Sequence, residues 1–110
     1  MTRVTHHPRL AWDGAMMFVG AAHFDDLYGW LAPMLGDLLG ADALRALAET
    51  RYQLTYSTRT DAQPVEAGRW RVRLEGLLDH DPALADPLAE LIYETRIRLR
   101  ELVPPLGVAG

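Results

Sequence analysis

From Trp12 to Leu39 the chain runs through its most apolar stretch, interrupted by Asp25, Asp26 and Asp37. No other feature limits the possible folds so strongly. A membrane span would place those carboxylates in hydrocarbon at a cost of roughly 2.5–3.5 kcal/mol each. The stretch is therefore read as folded protein, with membrane attachment through it kept only as a third option. Phe24, Leu27, Tyr28, Leu31, Leu35 and Leu38 step by three or four residues, as one face of a helix does. Gly29 and Pro33 should bend the middle, since proline removes a bond to the carbonyl four residues earlier, so either one kinked helix or two short ones is expected. Asp13 is read as a cap for an opening turn.

If Met16 to Leu39 is helical, a second apolar stripe lies about a third of the circumference away. It holds Trp12, Met16, Val19, His23, Trp30 and Met34. A helix apolar on two sides is either central in its own domain or pressed against another chain. A bundle this small has few helices with which to cover both sides, and Trp and Met are common in interface cores. These six residues are the candidate partner-binding surface.

The remaining chain supports the same architecture. Gly40 ends one helix and Asp42 caps the next, with Leu44, Leu47 and Ala48 as its expected inner face. Tyr52, Leu54 and Tyr56 then alternate with polar residues, which is strand spacing, and Ser57 to Pro64 is a polar connection. Trp70, Val72 and Leu74 alternate with Arg69, Arg71 and Arg73, yet Ala67, Trp70, Leu74, Leu77 and Leu78 make a longer helical stripe. Two folds follow: an all-α bundle of three to five helices, which we prefer, and an α+β domain with a hairpin pairing 51–58 with 69–75. Asp81-Pro82 and Asp86-Pro87 are two helix starts too close to open one undisturbed helix. They predict a short piece at Pro82–Ala85 and a helix from Pro87 to Val103, with Leu88, Leu91, Ile92, Thr95, Leu99 and Leu102 inward. Glu90 and Glu94 are placed to pair with Arg98. Residues 1–9 are read as a flexible lead-in, 10–103 as one helical domain and 104–110 as a tail.

Composition narrows the function classes. With 110 residues, 49% of them hydrophobic, one core can form, but two would each be too small. There is no cysteine, which removes disulfides, thiolate nucleophiles and cysteine-ligated metals. The N-terminus lacks a signal-peptide pattern, so a cytoplasmic location is expected. The net charge of −4 argues against nucleic-acid binding. All eleven basic residues are arginine, a bias that codon usage in a GC-rich genome explains without phosphate recognition. Arg69, Arg71 and Arg73 around Trp70 are diluted by Glu66 and Glu75 and read as a solvated face.

Trp70, Leu74, Leu77-Leu78, Asp81-Pro82-Ala83, Leu88 and Leu91 form the one familiar pattern. In that order they resemble the C-terminal half of uncharacterised small alanine/leucine-rich helical actinobacterial proteins, with Ala41–Arg51 as a weaker counterpart of their central helix. Pro87 departs from the pattern, whose final helix runs on from the Asp-Pro cap. The resemblance covers about a fifth of the chain, rests on packing and capping residues, and implies a helical fold without an activity.

Catalytic signatures are missing. Ser57 lacks a nucleophile-elbow setting, Gly36 to Gly40 ends a helix instead of opening one over a phosphate, and Asp25 with Glu75 is only one of many conceivable carboxylate pairs. His6 and His7 are adjacent and divergent. His23 with Asp26 could offer two metal ligands on one helical face, supplemented by His80 with Asp79 or Asp81, but no metal or cofactor is assigned. The expected function is a non-enzymatic protein-protein interaction module, adaptor or regulatory, that self-associates or docks a partner through its apolar N-terminal helix. The alternative is a small enzyme or ligand- or metal-binding protein using His23 and nearby carboxylates.

Overall fold

In a computed structural model, residues 7–102 are described as five α-helices and one short 3₁₀ turn, with no strand among them. The helices are α1 (His7–Ala22), α2 (Asp25–Leu39), α3 (Ala41–Tyr56), α4 (Ala62–His80) and α5 (Ala85–Leu102), and the 3₁₀ turn is Pro82–Leu84. The all-α bundle is the fold, and both segments of the alternative hairpin are helical. The tail at 104–110 and the first six residues of the lead-in lie outside the described residues, whereas His7 to Arg9 already belong to α1. Pro8 sits in the first turn, where a missing N–H costs no helical bond.

The break in the apolar N-terminal third falls at His23–Phe24 and not at Pro33. There the amides of His23 and Phe24 bond back three residues, to Gly20 O at 3.3 Å and Ala21 O at 3.1 Å, tightening the last turn of α1. Asp25 and Asp26 then open α2, favoured by the positive helix end. Pro33 is accommodated within α2, since both it and Gly29 occupy exposed positions where the freed carbonyl meets water. Asp13 lies inside α1 and caps nothing. Gly40, at φ +100°, turns the chain from α2 into α3, a conformation that favours glycine.

α1 is the central helix. It packs most extensively on α4, next on α5, and also meets α2 and α3. Its buried face is largely small, Ala11, Gly14, Ala15, Ala21 and Ala22 around Phe18 and Val19, so its neighbours come close. A Cβ at Gly14 would stand 2.8 Å from Leu74 Cδ1 and 3.1 Å from Ile92 Cδ1. α4 answers with Ala67, Trp70, Leu74 and Leu78, and α5 with Leu88, Leu91, Ile92 and Thr95, while Leu99 is half-buried and Leu102 exposed. The Phe18 and Trp70 rings meet edge to face, at 5.7 Å between centroids and 75° between planes.

In α3 the inner face is rotated from the expected one. Ala43, Leu47 and Thr50 are buried, whereas Leu44 and Ala48 are exposed. Leu44 instead lies over Gly36, at the α2–α3 turn. Tyr52 and Tyr56, one helical turn apart, meet at 5.0 Å between centroids with their planes tilted by 49° on the outer face, so their strand-like alternation reflects an exposed aromatic pair. Arg51 ties α3 to the α1–α2 corner: Nη1 donates to Ala22 O at 3.1 Å, the guanidinium pairs with Asp25, and it lies 4.8 Å above the Tyr28 ring. It thereby satisfies a carbonyl at the end of α1. Asp81 Oδ1 accepts from Ala83 N–H and caps the 3₁₀ turn, and α5 starts at Ala85 with Pro87 in its first turn.

Candidate functional site

Two surfaces stand out, and the first was only partly legible in the sequence. α3 and α4 touch lightly and diverge, leaving an open groove of about 1070 Å³ between them. Its floor is polar where a core is usually apolar. Trp70 Nε1–H donates to Thr50 Oγ1 at 2.8 Å, and that hydroxyl donates to Glu66 Oε1 at 2.9 Å. Glu66 is only 4% exposed, and its other oxygen lies 3.4 Å from Arg69 Nη1. A buried carboxylate and indole are tolerable only when bonded, and among the described residues no buried side-chain N or O atom lacks a partner. Arg45, Arg69 and Arg73 stand on the rim with Asp42, Glu49, Tyr52 and Val72. Arg45 pairs with Asp42, and Arg73 lies 6.0 Å from the Trp70 ring centroid. The sequence signal for Glu66 was its position one turn before Trp70, on the buried stripe of α4. Thr50 carried a fainter one, three residues after Leu47.

The second surface is what became of the six-residue stripe. The turn at His23–Phe24 divides it, and its members no longer share one helix. Trp12 and Met16 are adjacent on α1 and remain 48% and 40% exposed. Val19 is buried in the core, which removes it from any docking surface, and His23 is exposed in the interhelical turn. Trp30 is half-buried and Met34 is 46% exposed. These two line a cleft of about 250 Å³ between α2 and α5 with Leu38, Pro87, Glu90, Leu91 and Glu94. Arg98 closes over Trp30, 4.3 Å from the ring centroid. It makes no ion pair with Glu90 or Glu94, so the expected helical charge pairs do not form.

The alternative built on His23 loses its geometry at the same turn, because His23 and Asp26 are not on one helical face. Among the described residues no group of three or more His, Asp or Glu is placed to hold a metal ion. No described helix is long and apolar enough to cross a membrane. Along α4, Arg71 pairs with Glu75 at 3.3 Å and Arg69 with Glu66, consistent with a face of local ion pairs.

No protein-family model, curated protein or solved structure matches the chain.

Proposed function

We propose that this protein is a non-enzymatic interaction module, adaptor or regulatory in role, that docks a protein through apolar side chains its first two helices leave outside. One observation carries the reading. Trp12, Met16 and Met34 stay between 40% and 48% exposed in a fold that encloses Phe18, Trp70 and eight of its leucines almost completely. Trp12 and Met16 are neighbours one turn apart on α1, and contiguous apolar groups of this kind, rich in Trp and Met, mark interaction surfaces. The resemblance over Trp70–Leu91 to small alanine-rich actinobacterial proteins and a cytoplasmic setting belong to the same proposal. The resembling residues that are buried, Trp70, Leu74, Leu78, Leu88 and Leu91, serve packing, which suits a scaffold whose function lies on its surface.

The test is the size of the protein in its native extract and after purification. The wild type should migrate above the 12.3 kDa of one chain in at least one of these settings. Trp12→Asp with Met16→Asp should lower that size while the helical circular dichroism is kept. A wild type that runs as a single chain in both settings, or a complex indifferent to these substitutions and to Met34→Asp, overturns the reading.

A further inference from the structure

The outer edge of α5 carries Asp86, Glu90 and Glu94 at four-residue intervals, with Tyr93 standing 60% exposed among them. None of these carboxylates forms an ion pair among the described residues. The α3–α4 groove carries guanidinia among carboxylates that are already engaged: Asp42 pairs with Arg45, Glu49 accepts from Gln53 Nε2, and Glu66 is buried in the floor. Arg69 and Arg73 stand on α4 at the same four-residue interval, Arg45 faces them from α3, and Val72, 62% exposed, and Tyr52 supply apolar wall. Four residues rise about 6 Å on any α-helix, so two carboxylates of α5 match two guanidinia of α4 in register. Arg73 has no carboxylate partner among the described residues. Arg69 holds Glu66 through a long 3.4 Å contact while its side chain is 67% exposed. Both are free to engage a second anion without unmaking the floor. A chain cannot seat its own α5 here, because α1 stands between α4 and α5 and packs against both.

We propose that the α3–α4 groove receives the α5 edge of a second copy of this chain, Tyr93 entering between the helices while Glu90 and Glu94 meet Arg69 and Arg73. Each copy then presents one groove and one edge, so two copies can exchange them across a two-fold axis, or successive copies can close into a larger ring or extend. Glu90 and Glu94 also border the cleft that holds Trp30 and Met34. The inference goes beyond the docking reading above, since Trp12 and Met16 line neither the groove nor the α5 edge, and their substitution should leave this association intact.

Charge reversal on each surface of the purified protein tests it. Glu90→Arg with Glu94→Arg makes both surfaces basic, and Arg69→Glu with Arg73→Glu makes both acidic. By sedimentation equilibrium the wild type should associate at high micromolar concentration, less so as salt is raised. Each variant alone should associate at least about tenfold more weakly, a change of about 1.4 kcal/mol. An equimolar mixture of the two should recover association, since every groove again finds an edge of opposite charge. Should the α4 variant lose its helical signal, Arg45→Glu with Arg73→Glu replaces it. A purified wild type that remains monomeric, variants that associate as the wild type does, or folded variants whose mixture stays monomeric overturn the proposal. The first of these leaves the docking reading standing wherever the native extract still shows a complex.

Discussion

The contact of α1 with α4 and the contact of α3 with α4 use opposite chemistry on the same helix. Toward α1, α4 presents Leu74 against a glycine, and the Trp70 and Phe18 rings meet edge to face. Toward α3, the same Trp70 presents its N–H to a hydroxyl that in turn holds a buried carboxylate. Small residues let the first pair of helices approach closely. A polar relay holds the second pair at one level and lets them diverge elsewhere. Close packing contributes most where atoms are densest, while a bonded polar floor contributes little net stability but fixes one arrangement of the helices. The α1–α4 side therefore carries the fold, and the α3–α4 side carries the surface available for binding.

Substitutions on the two sides should separate them. Phe18→Ala removes a fully buried ring and its contact with Trp70, and should cost about 3–5 kcal/mol in denaturant unfolding. Thr50→Val is nearly isosteric, yet it strips the Trp70 indole of its acceptor and Glu66 of one donor. A loss of about 1–3 kcal/mol is expected. Combining it with Trp70→Phe should show coupling of about 0.5–3 kcal/mol, because the two side chains belong to one network. Equal losses for Phe18→Ala and Thr50→Val would erase the distinction between the two sides.

Most of the fold was legible from spacing. Of the expected stripes, Ala67, Trp70, Leu74 and Leu78 and then Leu88, Leu91, Ile92 and Thr95 point inward, while Leu77 and Leu99 are half-buried and Leu102 is exposed, because three-and-four periodicity reports the buried face but not where its cover ends. Spacing failed where a face is not apolar. Thr50 and Glu66 belong to the core by hydrogen bonding, which a hydrophobic pattern does not register, and the rotation of α3 that exposes Leu44 follows from Thr50 being turned inward. It failed again at His23–Phe24, where no proline or glycine announces the break. Pro33, which does announce one, stays helical because its side of α2 faces solvent. The candidate stripe was projected through that break, so Trp12 and Met16 could be placed together and Trp30 and Met34 together, but not the two pairs.

Glycine substitutions sharpen the same contrast with smaller effects. Gly76 lies on α4, and a methyl added there would find nothing within 4 Å, so Gly76→Ala should stabilise the protein by about 0.5–1 kcal/mol through helix propensity alone. Gly14→Ala gains the same propensity, but its methyl would press on Leu74 and Ile92, both buried. Overpacking costs about 1–3 kcal/mol, so a net loss is expected. If both variants gain equally by thermal unfolding, the close approach of α1 and α4 is not a constraint.

The smallest effect belongs to the α3–α4 connection, where Arg59 donates from Nε and Nη2 to the two oxygens of Asp61 at 2.8 and 2.9 Å. That hydrogen bonding, helped by the guanidinium charge, holds the Asp61 carboxyl below the ordinary carboxylate value against the opposing effect of desolvation. A carboxylate whose folded value is lowered binds its proton more readily in the unfolded chain. Its contribution is therefore complete above the unfolded pKa and is lost as pH falls through the folded one. The pair is fully exposed, so the contribution should be slight and fade with salt. Carbon-detected NMR titration should place Asp61 below the ordinary carboxylate value, and Arg59→Gln should return it toward that value. An unchanged Asp61 midpoint in that variant would show that the Arg59 guanidinium is not what lowers it.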